Sequence, residues 1–352
     1  MILSEYSNIG VLGGGSWGTA LSQLLSLKGY KIDLWVYESD VCNVINEKHK
    51  NDVYLPGMEL SNTITATNCL EEACSGKQMI VVVTPSHALR EVVSKAAPYI
   101  QDGAIIISAT KGIEEGTLLS MSQVIESIFT RKKEVKVTVL SGPSFAREVV
   151  KKIPTAVTVA SSDVTVGKIV QEIFSVPYFR VYTNVDVIGV ELCGALKNVM
   201  AIATGIVDGL NFGYNTRALI ITRGLAEMTR LGIKMGADPL TFSGLAGVGD
   251  LVLTCTGELS RNRTFGMKLC SCMNVEKTLR EMKMVVEGFY TSKSAYLLSK
   301  RLSMHMPITE QIYLVLYENK LPYEGFQHLL LQDLMYESTL EDLGLKNTHY
   351  LG

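Results

Sequence analysis

The sequence feature that most constrains the fold is a glycine-rich turn, IGVLGGGSWG, near the start of the chain. Gly13, Gly15 and Gly18 have the spacing G-x-G-x-x-G, and they lie between an apolar run and an amphipathic stretch, TALSQLLSLKG. A strand, a tight glycine turn and a helix in this order bring backbone amides and a helix N-terminus to a pyrophosphate. An ordinary glycine-rich turn between strand and helix is the alternative. The context favours a dinucleotide cofactor.

Short apolar runs alternate with amphipathic stretches through the first half of the chain. The predicted strands are NIGVLGG, KIDLWVY, MIVVVTP, AIIISAT, VKVTVLSG and TAVTVAS. Strands that are apolar on both faces and separated by helices predict a parallel sheet covered on both sides. The sequence therefore predicts an α/β fold whose N-terminal domain is a Rossmann-type doubly wound sheet.

Beyond YFRVYTN the pattern becomes helical, interrupted by the loops DGLNFGYN and SGLAGVGD. A chain of 352 residues is longer than one hydrophobic core usually supports. We therefore expect a dinucleotide-binding domain over 1–186, an all-helical substrate domain over 187–335 and a C-terminal tail over 336–352.

The composition excludes several classes of protein. Lys and Arg number 33 and Asp and Glu 35, so the net charge is −2 and no nucleic-acid partner is expected. The seven cysteines are odd in number and lack CxxC spacing, which indicates reduced thiols in a cytoplasmic protein. The start of the chain lacks the pattern of a signal peptide, and we expect no metal site.

The segment from Val187 to Val207 is apolar and long enough to span a bilayer. It also contains Glu191, Lys197 and Asn198, whose polar side chains are energetically unfavourable inside a membrane. We therefore expect a buried core helix here and no membrane span.

The second predicted strand ends in Tyr37 and Glu38. An acidic residue about 20 positions after the glycines can accept hydrogen bonds from the adenosine ribose, and it repels a 2′-phosphate. This position indicates NAD as the cofactor. The alternative is that Glu38 is a surface residue turned away from the cofactor.

Three predicted strand ends carry distinctive residues, and ligands of open α/β sheets bind beyond such ends. They are Pro85-Ser86, Lys111-Gly112 and the turn SGPSFA, from Ser141 to Ala146. Gly, Ser and Pro give exposed amides and a fixed turn, which suit an anionic or polar ligand. Lys111 either adds an ammonium to this crevice or is a solvated loop lysine.

A single lysine, Lys197, lies within the small and apolar stretch ELCGALKNVMAIATGI. Burial removes hydration from an amine, which lowers its pKa toward the working pH unless a partner holds the charge. Such an amine is suited to giving a proton to a carbonyl oxygen while a hydride reduces the carbon. The alternative is that Lys197 extends along its aliphatic stem to the surface.

The stretch GELSRNRTFGMKL places Ser260 as a helix N-cap and puts Arg261, Asn262 and Arg263 in the first turn. Cations at a helix N-terminus oppose the helix dipole, and a bound phosphate would remove that conflict. Arg261 and Asn262 are therefore predicted to bind a substrate phosphate. A surface arginine pair beside Glu258 is the alternative.

Asp250 lies at the end of a glycine-rich loop in the stretch GLAGVGDLVLTCTG. From the sequence alone, the favoured role of Asp250 is that of an N-cap. If it faces the crevice instead, it can hydrogen-bond a hydroxyl group or hold a lysine charged.

Taken together, these motifs resemble NAD(P)-dependent glycerol-3-phosphate dehydrogenases of the bacterial biosynthetic type. The resemblance runs from about Asn8 to Leu334 and includes GGGSWGTAL, NDVYLPG, ATKGIEEGT, SGPSFAREV, GVELCGALKNVMAIATGIVDGL, GLAGVGDLVLTCTG, SRNRTFG and VVEGFYTSKS. It implies a Rossmann domain followed by a helical substrate domain. It also implies interconversion of dihydroxyacetone phosphate and sn-glycerol 3-phosphate with NAD or NADP, supplying glycerophospholipid biosynthesis.

The resemblance also assigns residues, and Lys197 corresponds to the proton donor and acceptor of the family. The implied substrate contacts are Lys111, Gly142, Ser144, Lys197, Asp250, Ser260, Arg261 and Asn262. To the glycines of the turn, Gly13, Gly15 and Gly18, the resemblance adds as cofactor contacts Ser16, Trp17, Tyr37, Tyr54, Lys111, Ala146, Arg261, Val285 and Glu287. Relatives often carry a basic or histidine residue in place of Tyr37, so the sequence favours NAD while NADP stays possible.

Two other functions are open from the sequence: a related reductase of a different oxo acid, and a non-catalytic dinucleotide sensor. The motif SRNR favours a phosphorylated substrate over a free carboxylate. Lys111, Lys197 and Asp250 together argue against a sensor. A homodimer is expected, as in the family and because two-fold homodimers are the commonest oligomers.

Overall fold

The computed structural model describes residues 6–129, 133–282 and 284–330. Within them the chain divides into two compact units. The first comprises the residues up to Lys111 and Leu119–Val187, and the second comprises Gly112–Leu118 and the residues from Ile188 onward. The main division thus falls after Val187, and the segment Gly112–Leu118, which the sequence pattern did not single out, belongs to the second unit. The expected tail over 336–352 lies outside the described residues.

The first unit is an α/β sheet domain. Its strands are β1 (Asn8–Leu12), β2 (Lys31–Trp35), β3 (Ile64–Thr67), β4 (Met79–Val82), β5 (Ile105–Ser108), β6 (Lys136–Ser141), β7 (Thr155–Ala160) and β8 (Phe179–Asn184). Its helices are α1 (Ser16–Leu27), α2 (Ser39–Lys48), α3 (Leu70–Cys74), α4 (Leu89–Ala96), α5 (Met121–Ile128), α6 (Ala146–Val150) and α7 (Val164–Phe174), and a 3-10 turn spans Ser86–Ala88. All six apolar runs predicted as strands form strands.

The pattern missed β3, which has four residues and lies at one edge of the sheet. An edge strand exposes alternate side chains, so it lacks the continuous apolar run of a central strand. Thr65 is exposed while its neighbours in β3 are buried.

The strand order is β3-β2-β1-β4-β5-β6-β7-β8. Neighbouring strands are parallel except β6 and β7, which are antiparallel, so the expectation of a wholly parallel sheet is wrong at this pair. The connecting helix α6 has five residues and rises only about 7.5 Å. That is too short to carry the chain back along the six-residue strand β6, whose length is about 20 Å.

Helices cover both faces of the sheet, which confirms the doubly wound fold class. One hydrophobic cluster joins the strands to α1 and α7, with Leu24 and Val170 among its buried members. A second cluster joins them to α4 and α5 through residues such as Val93 and Ile125. The strand order reverses between β1 and β4, and the carboxyl ends flanking such a switch point form the ligand crevice of this fold.

From Ile188 onward, the described secondary-structure elements of the second unit are all helices joined by turns. Its helices are α8 (Val187–Gly209), α9 (Gly213–Lys234), α10 (Pro239–Phe242), α11 (Asp250–Thr256), α12 (Arg261–Cys272), α13 (Val275–Glu281), α14 (Glu287–Arg301), α15 (Pro307–Tyr317) and α16 (Pro322–Leu330). A wide turn, Leu245–Gly249, with a non-helical residue at Gly247, leads into α11.

Helix α8 is the central helix of this unit, and all its residues from Gly189 to Val207 are buried. In length and composition it could cross a membrane, as could the bent combination of Pro239–Thr256 with Arg261–Cys272. The apolar window of α8 is 89% buried inside the protein, which is the pattern of a core helix.

Helices α8 and α12 touch backbone to backbone at two glycines. A Cβ atom on Gly205 would lie 2.1 Å from the carbonyl oxygen of Arg263, and one on Gly266 would lie 2.3 Å from that of Ile202. Any larger residue would separate the helices, so these glycines fix the start of α12 against the helix that carries Lys197.

All seven cysteines are free thiols, as expected, and Cys42, Cys74, Cys193 and Cys255 are buried. Burial raises the pKa of the Cys255 thiol to about 12, so this residue acts as an inert part of the core.

Candidate functional site

Each of the three motif glycines has a different structural environment. Gly13 has φ +128°, and a Cβ atom there would lie 2.8 Å from the carbonyl oxygen of Val83. A Cβ atom on Gly18 would lie 1.9 Å from the carbonyl oxygen of Gly13, whereas one on Gly15 would meet nothing within 4 Å. The first and third glycines therefore allow the turn and its packing, and the second leaves the backbone open to a ligand.

Helix α1 begins directly after this turn. Its N-cap is Gly15, which offers no side-chain cap, and its first turn contains no acidic residue. First-turn amides of a helix have no intrahelical partners and attract anions. The turn therefore fits the pyrophosphate of a dinucleotide, which would supply the anion.

The adenosine end of the predicted cofactor site combines Ser16, Tyr54 and Glu38. The Ser16 hydroxyl donates to the Tyr54 carbonyl oxygen at 2.6 Å, and the Tyr54 hydroxyl donates to Glu38 Oε1 at 2.5 Å. Burial, together with the hydrogen bond to Glu38, raises the pKa of Tyr54 to about 12. Tyr54 therefore stays protonated and holds the carboxylate of Glu38 in place.

Tyr37 lies beyond the end of β2, which stops at Trp35 rather than at Tyr37 as the sequence pattern indicated. Its side chain is 79% exposed and its ring lies edge-on to that of Trp35, with 6.3 Å between centroids. Tyr37 can therefore contact an adenine without disturbing the core.

Trp17 and Ala146 bring α1 and α6 together. Both pack against a small cluster of buried residues that includes Ala20 and Leu55. Trp17 also lies near Phe179, with 6.4 Å between ring centroids. The turn SGPSFA is thus connected to the helix that follows the glycine turn.

Lys111, Gly142 and Ser144 meet at one carbonyl group. The Gly142 oxygen accepts hydrogen bonds from Lys111 Nζ at 3.3 Å and from Ser144 Oγ at 3.0 Å. Gly142 has φ +141°, and a Cβ atom there would lie 2.9 Å from Val157 Cα. The structure therefore brings together three of the residues predicted to contact the substrate from the sheet domain.

Lys197 is buried, with only 6% of its surface exposed, so it does not extend to the surface. Its Nζ donates to Asp250 Oδ1 at 2.6 Å and to Thr254 Oγ1 at 2.7 Å. The Asp250 carboxylate stabilises the ammonium and opposes the effect of desolvation. We call Lys197, Asp250 and Thr254 the lysine centre.

Asp250 is the first residue of α11 and follows the N-cap Gly249, so the interpretation of Asp250 as an N-cap is wrong. Thr254, which sequence reasoning missed, donates to the Asp250 carbonyl oxygen at 2.6 Å. The sequence does contain a signal for this contact: Thr254 lies four positions after Asp250, and residues with that spacing share one face of a helix.

Asn262 is connected to α8 by a chain of buried amides. Asn262 Nδ2 donates to Asn198 Oδ1 at 2.9 Å, and Asn198 Nδ2 donates to the Gly194 carbonyl oxygen at 3.3 Å. The backbone N–H of Gly288 donates to Asn262 Oδ1 at 2.9 Å, which fixes the orientation of this side chain. The Nδ2 end of Asn262 therefore faces α8 at Asn198, which directly follows Lys197 in the chain.

The start of α12 has the predicted N-cap, because Ser260 Oγ accepts from the backbone N–H of Arg263 at 3.3 Å. Arg263 Nε donates to Asp208 Oδ2 at 2.6 Å, and Arg217 Nε donates to Asp208 Oδ1 at 2.9 Å. The partly buried Asp208 thus compensates one of the two first-turn arginines, which sequence reasoning did not foresee.

Arg261 keeps solvent-accessible surface as a residue, but its guanidinium group is surrounded by protein atoms. Desolvation by the surrounding protein lowers the pKa of its guanidinium from the ordinary value, and the nearby Glu287 opposes that shift. A guanidinium stays charged at physiological pH in either case. Glu287 begins α14, and Val285 precedes its N-cap Val286, so both lie on the segment that leads to Gly288.

No group of three or more His, Cys, Asp or Glu side chains is placed to hold a metal ion in the described part of the chain. The first unit thus contains a backbone cradle at the glycine turn, and the second unit contains amine, guanidinium and amide donors around Lys197 and the start of α12.

The comparisons with known proteins agree with these features. The N-terminal family model of NAD-dependent glycerol-3-phosphate dehydrogenase matches residues 8–166, and the C-terminal model matches residues 186–327. A glycerol-3-phosphate dehydrogenase [NAD(P)+] from Syntrophobacter fumaroxidans is 50% identical over 332 residues, covering 94% of this chain and 98% of the relative. Another from Geobacter sulfurreducens is 52% identical over 329 residues, with coverage of 94% and 98%.

A solved structure gives the same result. The crystal structure of glycerol-3-phosphate dehydrogenase from Coxiella burnetii is 40% identical, with a TM-score of 0.89, and the match covers 93% of this chain and 99% of that one. Both halves of the chain are matched in order and at high coverage, and the glycine turn and the lysine centre lie within the matched residues. The chain belongs to the NAD-dependent glycerol-3-phosphate dehydrogenase family.

Proposed function

We propose that this protein interconverts dihydroxyacetone phosphate and sn-glycerol 3-phosphate, with Lys197 as the proton donor and acceptor. The observation that carries this assignment is the lysine centre, where a buried amine is held by a carboxylate and a hydroxyl. NADH or NADPH, when bound, supplies the hydride that reduces the carbonyl carbon. The protein must then stabilise and protonate the new alkoxide.

Lys197 suits that second task. Its ammonium stabilises the negative charge that develops on the oxygen and then gives the oxygen a proton. Asp250 and Thr254 fix the direction of Nζ, and Asp250 also keeps the amine charged before the reaction. In the reverse direction the neutral amine accepts the proton of the alcohol.

The substrate phosphate binds at the start of α12 in this proposal. Arg261 supplies a fork of N–H donors that matches a phosphate, and Ser260 and Asn262 add polar groups at the same helix start. The Oδ1 atom of Asn262 is taken by the N–H of Gly288, and one N–H of Nδ2 donates to Asn198, so the second N–H of Nδ2 is the donor proposed for the phosphate. Backbone contact between α8 and α12 holds this site at a fixed distance from Lys197.

The cofactor binds on the sheet domain in this proposal. Gly13, Gly15 and Gly18 admit the pyrophosphate, and the adenosine end lies toward Tyr37, Tyr54 and Glu38. The carboxylate of Glu38 accepts ribose hydroxyls and repels a 2′-phosphate, so NADH is preferred to NADPH. The remaining proposed contacts, for cofactor or substrate, are Ser16, Trp17, Lys111, Gly142, Ser144, Ala146, Val285 and Glu287.

We place the enzyme in the cytoplasm as a homodimer that supplies glycerophospholipid synthesis. Free thiols support the first point, because disulfides are rare in that compartment. The dimer is supported by the frequency of two-fold homodimers among soluble oligomers. Size-exclusion chromatography with light scattering tests it, and a monomeric mass would contradict it.

A single assay tests the activity. NADH absorbance is followed with purified protein and either dihydroxyacetone phosphate, unphosphorylated dihydroxyacetone or a free 2-oxo acid. We expect oxidation of NADH with the phosphorylated ketone and far slower oxidation with the other two. Preference for a 2-oxo acid would assign the chain to a different reductase, and no turnover with any of them would contradict enzymatic function. Replacing NADH with NADPH measures the cofactor preference.

A further inference from the structure

A buried asparagine, the first residue of the stretch NDVYLPG, lies against the glycine turn although it is distant from that turn in the sequence. Asn51 is 1% exposed and belongs to the loop between α2 and β3. Its Nδ2 donates to the Gly14 carbonyl oxygen at 2.8 Å and to Thr19 Oγ1 at 2.8 Å. Its Oδ1 accepts from the backbone N–H of Tyr54 at 3.2 Å.

These three bonds use both donors and the acceptor of the amide. A carbonyl can only accept and a backbone N–H can only donate, so the orientation of the Asn51 side chain is unambiguous. The Thr19 hydroxyl also donates to the Gly14 oxygen, at 3.2 Å. Two side chains thus converge on one carbonyl group of the cofactor turn.

The geometry of the peptide bond gives this contact a consequence for the ligand. The Gly14 carbonyl and the Gly15 N–H belong to one planar trans peptide and point in opposite directions. Holding the carbonyl toward Asn51 directs the Gly15 N–H away from it. Gly15 is also the position where an added Cβ atom meets no protein atom within 4 Å.

The same side chain connects the turn with the adenosine end. Through its bond to the Tyr54 N–H, Asn51 sets the position of Tyr54, whose carbonyl oxygen accepts from Ser16 Oγ at 2.6 Å. The Tyr54 hydroxyl holds Glu38 at 2.5 Å. One residue therefore supports both the turn and the tyrosine–carboxylate pair.

We propose that Asn51 is a positioning residue for the dinucleotide: it aims the Gly15 N–H at the pyrophosphate and sets Tyr54 beside Glu38. It touches no reacting atom. The inference rests on the proposed function only through the cofactor, because it concerns binding and not reduction of the substrate.

The direct test measures binding of ADP-ribose, which contains the pyrophosphate, and of adenosine, which does not. Asn51→Asp keeps the acceptor for the Tyr54 N–H but loses both donors and places a carboxylate oxygen against the Gly14 oxygen. We expect ADP-ribose affinity, measured by calorimetry, to fall about 10- to 100-fold, the usual effect of unpairing buried polar groups. Adenosine affinity should stay unchanged.

Asn46 offers a matched control. Its amide also makes two backbone hydrogen bonds within the sheet domain, both with Ala66, at 2.9 Å and 2.8 Å. Asn46→Asp should lower the melting temperature without changing the ratio of ADP-ribose to adenosine affinity. An unchanged ratio in Asn51→Asp as well would overturn the proposal and leave Asn51 a purely structural residue.

If Asn51→Asp does not fold, Thr19→Val carries the test, because it keeps the branched shape of the side chain but removes one donor to the Gly14 oxygen and the acceptor of one Asn51 N–H. We expect a smaller but selective loss of ADP-ribose affinity. Equal losses for ADP-ribose and adenosine would contradict the proposal. A wild-type chain that binds ADP-ribose but does not reduce dihydroxyacetone phosphate would refute the proposed function and leave the role of Asn51 intact.

Discussion

The glycine turn and the lysine centre differ in the kind of atom that each presents to a ligand. The turn presents backbone amides from a few consecutive residues, and its glycines are required by φ angles and close contacts. The lysine centre presents side chains, and Lys197 lies 53 and 57 positions from its two partners. A site made of backbone can be identified from a short motif, whereas a site made of side chains depends on how helices pack.

The two regions also tolerate change differently. Within the turn, a methyl group at Gly18 would strike the backbone, while one at Gly15 would enter open space. Within the lysine centre, removal of either charged partner leaves the other buried and uncompensated. Stability and function can therefore be separated by substitution in both regions, but by different choices of variant.

The largest expected effect is on the ion pair of Lys197 and Asp250. Asp250→Asn or Lys197→Met should each lower the free energy of unfolding by about 3–5 kcal/mol, because one buried charge loses its partner. The double variant Lys197→Met with Asp250→Leu should recover most of that stability while remaining inactive. Denaturant titration measures the stabilities. Equal instability of the single and double variants would show that the pair is not coupled.

A second buried carboxylate, Glu227, gives a contrast because it faces backbone amides in place of a lysine. It accepts from the N–H groups of Ile308 at 2.6 Å and Thr309 at 3.3 Å, at the start of α15. Desolvation by burial raises the pKa of Glu227 from 4.5 to about 7, although these hydrogen bonds and the charge of Arg230 oppose the shift.

The pKa of Glu227 is 4.5 in its ordinary, unfolded environment and about 7 in the folded protein. As the pH rises between these values, the unfolded chain loses this proton before the folded protein does. The stability that Glu227 contributes is fully present below that range and is lost as the pH rises through it, by an amount on the order of 3 kcal/mol. Glu227→Gln does not titrate and should lack this loss. Denaturant titrations at about pH 5 and about pH 8 measure the difference, and parallel pH profiles for the two proteins would contradict it.

A smaller effect is expected in the glycine turn. Gly15 has φ −70°, which any residue adopts, so Gly15→Ala should fold with nearly unchanged stability. Its methyl group should nevertheless crowd the bound cofactor, and because such overpacking costs about 1–3 kcal/mol, NADH affinity should fall by about 10- to 100-fold. Fluorescence titration of NADH measures this loss. Gly18→Ala, the control, should lose both stability and binding, and normal NADH binding by Gly15→Ala would show that the turn does not receive the cofactor.

Much of the fold could be predicted from the sequence, because buried strands such as β4 and β5 are continuous apolar runs. The direction of β7 could not, since an apolar run has the same pattern in either orientation. The edge strand β3 escaped because half-burial breaks the run. The position of the glycine turn followed from its motif, which is local in the chain.

The polar partners were harder to foresee. A buried lysine requires a partner, but only helix packing selects Asp250 over other carboxylates. Thr254, Asn51 and Asp208 act through contacts that link distant segments, and their residue types are common on surfaces and in turns. Lys197 itself was identified by contrast with its apolar neighbours, which is a signal that a single sequence does contain.

The central claim is that the buried amine of Lys197 moves the proton, and chemical rescue tests it most directly. The rate of NADH oxidation by Lys197→Ala is measured at saturating dihydroxyacetone phosphate, with and without added ethylammonium, after NADH binding has been shown to persist. We expect turnover to fall by about 10²–10⁴-fold, the range of a general acid, and to recover partially and saturably with ethylammonium. Turnover of Lys197→Ala close to that of the wild type would contradict it.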